Sequence, residues 1–374
     1  MFRLSDRRES NVKYFNDETI GKIRRGIYSA VYFNRTKEIL LKENNLKRVT
    51  MQIFQKKSGS ILCGVEEVRE LLKAATGFLK GKSWADKSSD LELSALSDGD
   101  RLSAWETVMH LKGPYVYFAH LESVYLGILA RRTLVSTNTR KCVEAAGGKP
   151  SDSEGKPIIF FADRFDYFLN QPGDGYATKI GGASAVCTQA MTAWTGREAV
   201  GTIPHSLIAV YGGNTLRSAE LFHKYYPEEN LIALVDFNND CLRESLSVAR
   251  KLGEKLWAVR LDTAGEMIDK SFQIQNSKNK IQNSNEIYGV NPYLVRAVRE
   301  ALDKEGFSKV KIIVSGGFYP EKIAKFVKEK VPVDGYGVGS SLVHGENDFT
   351  ADVVEVEGEK IAKAGREYKQ NKRF

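Results

Sequence analysis

The chain has 374 residues, and its hydrophobic content of 42% and charged content of 27% fit a folded globular protein and exclude a largely disordered one. Its four cysteines form no CxxC pair, so neither a zinc site nor a disulfide framework is predicted, and no apolar run approaches the roughly 20 residues of a membrane span. The net charge of +8 favours anionic partners, but Lys and Arg are spread along the chain. We therefore expect a cytoplasmic protein that binds neither nucleic acid nor membrane.

Residues 1–118 have the pattern of an α+β domain. Two stretches, "KIRRGIYSAVYFNRTKEILLKEN" and "GVEEVRELLKAAT", predict helices, whereas "VTMQIFQ" and "GPYVYFAH" predict strands. A long helical pattern then covers 120–147, where apolar residues share one face and Gly147 ends the helix. The character of the chain changes at this helix.

Short β-branched runs alternate with helical patterns from residue 157 to residue 340. The strand-like runs are "IIFFAD", "AVGTI", "LIALVDF", "LWAVRLD", "VKIIVSGG" and "VDGYGVGSSL". The first helical pattern between them is "SAVCTQAMTAW", and four more follow. Repeated β-α units imply parallel strands joined by crossover helices, so we predict an irregular TIM-like α/β barrel at 119–340, with fewer than eight strands.

Each strand-like run ends in polar residues or glycines. In a parallel barrel these ends meet at one mouth, where active sites of this architecture lie. Alone, any one of them has an ordinary structural explanation, such as a helix N-cap for Asp236. Together they predict one site, and its candidate residues are Asp163, Arg164, Thr202, His205, Asp236, Asn238, Arg260, Asp262, Ser315, Gly316, Gly317, Gly337, Gly339, Ser340 and Ser341.

The residue types at this mouth indicate an anionic substrate. Gly316–Gly317 and Gly339–Ser340 follow the last two strands, where backbone N–H groups can cradle a phosphate. Carboxylates at Asp236 and Asp262 can hold Mg²⁺ or sugar hydroxyls. The cations that can pair with a diphosphate or a substrate carboxylate are Arg164 and Arg260.

Several motifs resemble those of one enzyme family. "GTIPHS", "ALVDFNND", "VRLDT", "IVSGGF" and "DGYGVGSSL", in this order, are similar to nicotinate phosphoribosyltransferases, and most like their shorter archaeal and bacterial form. "RRGIYSAVYFNRT", "LESVYLGILARRTLVST" and "DVVEVEGEKIAKAGR" extend the resemblance over nearly the whole chain. It implies transfer of ribose 5-phosphate from phosphoribosyl pyrophosphate to the ring nitrogen of nicotinate in NAD biosynthesis, with Mg²⁺ and with ATP as a co-substrate.

The resemblance also implies how the chain is organised. An open-faced α+β sandwich at 1–118 would be completed by the C-terminal tail, 341–374, and the phosphoribosyltransferase barrel would occupy 119–340. The family forms dimers with shared active sites, in which the N-terminal domain of one subunit caps the barrel of the other. We therefore expect a homodimer or a higher oligomer.

Single residues take roles from the resemblance as well. His205 would accept phosphate from ATP, and Asp236 and Asp262 would bind ribose hydroxyls or the Mg²⁺ complex of the diphosphate. Phe161 would stack on the base, and Tyr32 would reach the site from the neighbouring subunit. The other expected substrate contacts are Arg164, Thr202, Arg260, Ser315, Gly316, Gly317, Gly339 and Ser340. The glycines and Ser340 among them would hold the ribose 5-phosphate.

The sequence departs from the family pattern near the base. Ala162 stands where the family usually has Gly, Phe165 replaces a second basic residue, and Ala30 replaces an Asp two residues before Tyr32. These changes leave quinolinate and nicotinamide as alternative bases, and a non-catalytic protein that binds phosphoribosyl groups or nucleic acid as the remaining alternative.

One further stretch, 271–289, is polar and contains "IQNS" twice. A low-complexity insertion of this kind predicts a flexible loop. We expect it between the strand that ends at Asp262 and the next helix.

Overall fold

The computed structural model of the chain describes residues 2–3, 12–149, 155–196, 198–271 and 287–374. Most of the predicted insertion at 271–289 lies outside these residues. The chain forms two compact units, Met1–Thr137 with Gly345–Phe374, and Asn138–His344. No helix of the described residues is long and apolar enough to cross a membrane.

The sequence predicts the domain boundaries at 118/119 and 340/341, closer to the N-terminus than the boundaries between these two units. The difference arises from the long helical pattern at 120–147, which the sequence pattern assigns entirely to the second domain. Tyr125 and Leu129 of this helix belong to the buried core of the first unit, so its first half lies with that unit.

The strands and α-helices of the described chain have the following bounds. The strands are β1 (Phe2–Arg3), β2 (Arg48–Phe54), β3 (Gly77–Lys80), β4 (Ser83–Asp86), β5 (Glu92–Ala95), β6 (Thr107–Pro114), β7 (Ile158–Phe160), β8 (Ala185–Val186), β9 (Leu231–Leu234), β10 (Leu256–Leu261), β11 (Lys311–Val314), β12 (Gly335–Val338) and β13 (Thr350–Val356). The α-helices are α1 (Asp17–Arg24), α2 (Val31–Lys42), α3 (Val65–Ala75), α4 (Glu122–Ala145), α5 (Gln171–Gly181), α6 (Gln189–Thr192), α7 (His205–Val210), α8 (Thr215–Tyr225), α9 (Cys241–Leu252), α10 (Pro292–Lys304) and α11 (Pro320–Lys328).

The first unit is built on a five-stranded antiparallel sheet of order β1-β5-β6-β2-β13. Its last strand comes from the C-terminal tail, and Val353 of β13 stands opposite Met51 of β2. Helix α3 buries Val68, Leu71 and Leu72 in the same core as Met51, because these positions lie on one helix face. A sandwich completed by the C-terminal tail was the expected fold, and it is confirmed.

Two of the predicted elements in this unit are confirmed, and one is wrong. "VTMQIFQ" forms β2, and "GVEEVRELLKAAT" forms α3. "GPYVYFAH" is mostly not a strand, since β6 ends at Pro114 and two 3₁₀ turns cover Tyr115–Tyr117 and Ala119–Leu121. The strand can end there because proline has no N–H to donate to a ladder.

The second unit contains a curled parallel sheet of six strands in the order β8-β7-β12-β11-β10-β9. The predicted irregular α/β barrel with fewer than eight strands is thereby confirmed in class. The predicted strand "AVGTI" contributes only an isolated parallel bridge, from Ala199 to Val186. Strands β7 and β9 to β12 coincide with the other five strand-like runs.

The predicted helix "SAVCTQAMTAW" is wrong. This stretch forms the short strand β8 and the four-residue helix α6, and the helix that precedes it is α5, a segment in which no helix is predicted. A Cβ at Gly175 would lie 2.0 Å from the carbonyl oxygen of Met191. Glycine in α5 therefore permits close packing of α5 on α6.

Candidate functional site

A cavity of about 610 Å³ opens at the carboxyl edge of the parallel sheet in the second unit. Its wall includes residues that directly follow strands, such as Phe161 after β7, Cys187 after β8 and Asp262 after β10. Thirteen of the seventeen predicted site residues line it. They are Phe161, Asp163, Arg164, Thr202, His205, Arg260, Asp262, Ser315, Gly316, Gly317, Gly337, Gly339 and Ser340.

The other four predicted residues, Tyr32, Asp236, Asn238 and Ser341, do not line this cavity. Asp236 lies behind His205, and only 8% of its side chain is exposed. Tyr32 belongs to helix α2 of the first unit, where 64% of it is exposed. Its predicted role in a neighbouring subunit's site stays a prediction.

His205 is held by a buried carboxylate. It is the first residue of α7, and its Nε2 lies 3.0 Å from Oδ2 of Asp236. This hydrogen bond raises the pKa of His205 above its ordinary value, against the opposing effect of burial. When Nε2 donates to Asp236, the Nδ1 atom carries a lone pair. The half-exposed imidazole can thus act as a nucleophile or exchange a proton at the cavity wall.

Arg260 places a buried cation in the same wall. Its Nη1 donates to Oγ1 of Thr202, its Nη2 lies 3.7 Å from Oδ2 of Asp262, and its Cζ lies 5.4 Å from the ring centroid of Phe161. Burial lowers the pKa of this guanidinium, although the carboxylates around it act in the opposite direction. The side chain is fixed on three sides, so its charge has a defined position.

Ser315, Gly316 and Gly317 form a loop beside Asp262. The Ser315 hydroxyl donates to Oδ1 of Asp262 at 2.7 Å. Gly316 and Gly317 have φ angles of +82° and +70°, in the left-handed region that favours glycine. A Cβ at Gly316 would lie 3.2 Å from the carbonyl oxygen of Thr263, whereas nothing lies within 4 Å of a Cβ at Gly317. Such a loop exposes backbone N–H groups to an anion.

Two aromatic rings lie over glycines at the end of β12. A Cβ at Gly337 would be 2.4 Å from Cε2 of Phe161, and a Cβ at Gly339 would be 2.7 Å from Cε2 of Phe165. The guanidinium carbon of Arg164 lies 5.6 Å from the Phe165 ring centroid. Only glycine at these two positions leaves room for the rings as they stand.

Sequence reasoning missed several lining residues, among them Cys187, Pro204, Ser206 and Phe318. Cys187 donates from Sγ to Oδ1 of Asp163 at 3.2 Å, and burial raises its pKa to about 12. The rule that site residues follow strands would have found Cys187 if β8 had been recognised. Phe165, which we noted only as a departure from the family pattern, also lines the cavity.

Lys322 stands behind the glycine loop on helix α11. Its Nζ lies 3.5 Å from the carbonyl oxygen of Gly316 and 4.3 Å from the ring centroid of Phe318. Burial lowers the pKa of Lys322 to about 8. The ammonium adds positive charge beside the glycine loop.

A metal site made by the protein alone is not found in the part of the chain that the structure describes, since no three His, Cys, Asp or Glu side chains cluster for it. Mg²⁺ usually keeps several waters and binds one or two carboxylates together with substrate phosphates. Asp262, at the cavity wall, fits this second mode. Asp236 does not line the cavity, so it fits this mode less well, although its Oδ1 is buried and lacks a hydrogen-bond partner among the described residues.

Comparisons with known proteins agree on one family. The model for the N-terminal domain of quinolinate phosphoribosyl transferase matches residues 30–133. A nicotinate phosphoribosyltransferase of Mycobacterium tuberculosis is 27% identical over 282 residues, which cover 73% of this chain and 55% of that protein. The chain thus spans about half the length of the curated relatives it matches.

Solved structures are similar over most of the chain. The nicotinate-nucleotide pyrophosphorylase from Pyrococcus furiosus has 30% identity and a TM-score of 0.76, with 97% of this chain and 82% of that chain covered. Human nicotinic acid phosphoribosyltransferase, at 15% identity, shares the fold with a TM-score of 0.67 and coverage of 89% and 75%.

Proposed function

Because the chain belongs to the nicotinate and quinolinate phosphoribosyltransferase family, we propose that it transfers ribose 5-phosphate from phosphoribosyl pyrophosphate to the ring nitrogen of nicotinate and releases pyrophosphate. The observation that carries this proposal is the cavity of the second unit, which brings together a two-glycine loop, two arginines and two phenylalanine rings. The product would be nicotinate mononucleotide, an intermediate of NAD biosynthesis.

The 5-phosphate would bind at the ends of the last two strands. Gly316 and Gly317 offer N–H groups without a side chain in the way, and Gly339 and Ser340 lie across the same cavity. Backbone N–H groups at such a loop favour a dianion. Lys322 supports this end of the cavity with its charge.

The pyridine ring would lie at the aromatic end. Phe161 and Phe165 supply faces for stacking, and Arg164 and Arg260 supply guanidinium groups for the nicotinate carboxylate or the diphosphate. Because Arg260 is fixed by Thr202 and by the carboxylate beside it, a ligand that pairs with it would be oriented as well as bound.

The chemistry requires little proton transfer. The pyridine nitrogen has a free lone pair, so it attacks the anomeric carbon as the bond to the pyrophosphate oxygen breaks, and the electron pair of that bond leaves with pyrophosphate. Positive charge that develops on the ribose is stabilised by Asp262, and negative charge on the leaving group by Arg260. Positioning and electrostatics would supply most of the rate.

Mg²⁺ would enter with the diphosphate and neutralise part of its charge when bound. Asp262 is the carboxylate placed to contact it, and the Ser315 hydroxyl fixes one oxygen of this side chain. The other ligands would be phosphate oxygens and waters.

ATP would act through His205. The lone pair on Nδ1 can attack the γ-phosphorus of ATP, the bond to the β-γ bridging oxygen breaks, and ADP leaves with that electron pair. The buried Asp236 carboxylate stabilises the ring as charge develops on it. The resulting phosphohistidine would couple ATP hydrolysis to the transfer, because a dianion at this wall changes the binding of the diphosphate.

Two copies of the chain would share their sites, with Tyr32 of one copy contributing to the cavity of the other. Val31, Tyr32 and Ile39 of helix α2 are each at least 60% exposed, and exposed apolar residues on one helix support association. Multi-angle light scattering tests the dimer, and a Tyr32→Ala variant tests the shared contact.

Quinolinate is the second candidate base, supported by the match to the quinolinate transferase N-terminal domain. It carries one more carboxylate than nicotinate, and the cavity offers two arginines, Arg164 and Arg260. Nicotinamide has no carboxylate, so these arginines would have only the diphosphate to pair with among the substrate groups.

One assay separates these candidates. The protein is incubated with phosphoribosyl pyrophosphate, Mg²⁺ and each of nicotinate, quinolinate and nicotinamide, with and without ATP, and pyrophosphate and mononucleotide are quantified. We expect turnover with nicotinate that ATP stimulates. Turnover with quinolinate and not with nicotinate would identify quinolinate as the base. No turnover with any base, in a protein that still binds phosphoribosyl pyrophosphate, would contradict catalysis.

A further inference from the structure

A second cavity, in the first unit, is cationic. It has a volume of about 280 Å³ and is bordered by α1, α2 and β3. The charged and polar side chains in its wall are Arg24, Arg25, Asn34, Lys37, Glu38 and His120. Among the described residues of this wall Glu38 is the one carboxylate, and it forms an ion pair with Lys42 at 2.7 Å. Its charge is therefore already neutralised.

Lys37 is buried in this wall without a counter-charge. Only 9% of the residue is exposed. Its Nζ donates to the carbonyl oxygen of Gly77 at 2.6 Å and lies 3.0 Å from Nδ1 of His120, and no carboxylate of the described chain pairs with it. Burial lowers the pKa of Lys37 to about 7, and burial together with Lys37 lowers the pKa of His120 to about 3.

Trp84 lies beside two cations, Arg24 and Lys37, and has a hydrogen-bond donor of its own that no described residue uses. The Cζ atom of Arg24 and the Nζ atom of Lys37 lie 5.1 Å and 5.3 Å from the Trp84 ring centroid. Arg24 donates from Nε to the Ala74 carbonyl, and no hydrogen bond engages its terminal nitrogens within the part of the chain described. The buried Nε1 of Trp84 also has no partner there. Such groups are costly to bury unless an acceptor completes them.

We propose that this cavity binds a phosphate dianion, either free or as the phosphate group of a small metabolite, between Arg24 and Lys37. The anion would supply the missing counter-charge, and Lys37 would take up a proton as it binds, since a neighbouring negative charge favours the ammonium form. The bond from Lys37 to Gly77 can persist, because an ammonium has three donors. This cavity shares no lining residue with the cavity of the second unit.

Proton uptake measured by isothermal titration calorimetry tests the site. The probe is sulfate, which has the shape and charge of a phosphate dianion and does not titrate in this range. Titrations of the full chain at about pH 8, in two buffers of different ionisation enthalpy, give the protons taken up per ion bound. Wild-type protein should take up close to one proton at this cavity.

Variants assign the signal to Lys37. Lys37→Met should abolish the proton uptake and weaken sulfate binding at this cavity by about tenfold or more. Lys47→Met is the matched control, because Lys47 is exposed in the same unit and lies outside the cavity wall, and it should change neither. Arg24→Gln keeps Lys37 and should also weaken binding about tenfold, which provides a second test if Lys37→Met does not fold.

A variant of the other cavity separates the two sites. Gly316→Val should remove anion binding at the glycine loop and leave the Lys37-dependent uptake intact. Uptake that persists when Lys37→Met is combined with Gly316→Val, or that disappears in Gly316→Val alone, would overturn the assignment, as would the absence of any uptake in wild type. Repeating the titration with inorganic phosphate and with ribose 5-phosphate shows whether the free anion or the phosphate group of a metabolite binds more tightly.

Discussion

The Ser315 hydroxyl donates to Oδ1 of Asp262 at 2.7 Å, and so joins the end of β11 to the end of β10 at the floor of the cavity. The contact holds the carboxylate in place without neutralising it. A charge held in this way can act on a substrate with little reorganisation.

Asp262→Asn should lower phosphoribosyl transfer by roughly 10²-fold or more, because it removes the negative charge and keeps the size of the side chain. Circular dichroism and turnover are measured on the same sample. Ser315→Ala removes the hydrogen bond to the carboxylate but leaves its charge, so this variant should lower turnover less than Asp262→Asn. Wild-type turnover in folded Asp262→Asn would remove this residue from the mechanism.

Gly316→Val should weaken the binding of phosphoribosyl pyrophosphate by roughly 10²-fold, the loss of one or two charge-assisted hydrogen bonds. The branched side chain would disturb the left-handed backbone that presents the N–H groups. Gly306→Val is the matched control, since Gly306 has a φ of +86° and open space around it. Equal losses of affinity in both variants would mean that strain alone is responsible.

His205→Ala should abolish ATP hydrolysis and its stimulation of transfer, and a slow transfer without ATP should remain. Labelling with γ-labelled ATP, followed by acid and alkali, identifies phosphohistidine, which is labile in acid and stable in alkali. His223→Ala, on helix α8, is the control. A wild-type chain that never acquires this label would exclude the coupling role and leave the transferase assignment in place.

Asp236→Asn should shift the pH profile of ATP hydrolysis toward acid. The hydrogen bond that Nε2 of His205 donates to Asp236 raises the pKa of His205, and the protonated ring has no lone pair for attack. Hydrolysis should therefore rise with pH through this pKa, and the Asn variant should reach its plateau at lower pH. An unshifted profile would indicate that the titration of another group controls the rise of ATP hydrolysis with pH.

Glu122 should make the folded state less stable as pH rises from about 5 to 7. Burial, followed by the charge of Asp352, raises the pKa of Glu122 to about 7, so the folded state binds more protons than the unfolded state in this window. Denaturation midpoints across this range should fall less in Glu122→Gln than in wild type. The exposed Glu43→Gln should behave as wild type, and equal slopes in all three proteins would contradict the prediction.

The sequence alone predicted the class of fold because β-branched runs and amphipathic helices alternate regularly in the second unit. It failed where local composition and tertiary packing disagree. Helix α5, in which no helix is predicted, contains Pro172 and Gly175, two residues of low helix propensity, yet Gly175 permits close contact with Met191. Helix propensity describes each residue by itself, whereas this helix depends on its packing against α6.

The candidate site was predicted from a positional rule, and the rule has a limit. It identifies residues that follow strands but not the direction of their side chains. Asp236 and Asp262 both follow strands, yet Asp262 lines the cavity and Asp236 is covered by His205. Only the packing of helix α7 decides between these outcomes, and no pattern in the sequence encodes it.

The pairing of Gly337 with Phe161 and of Gly339 with Phe165 has a consequence for engineering. Each ring occupies the volume that a methyl group on the facing glycine would need, so neither glycine can be replaced alone without displacing the ring that faces it. A larger base would be admitted by shortening Phe165 while Gly339 is kept. A library that varies glycine and phenylalanine jointly should therefore yield more folded variants with altered selectivity than one that varies either set separately.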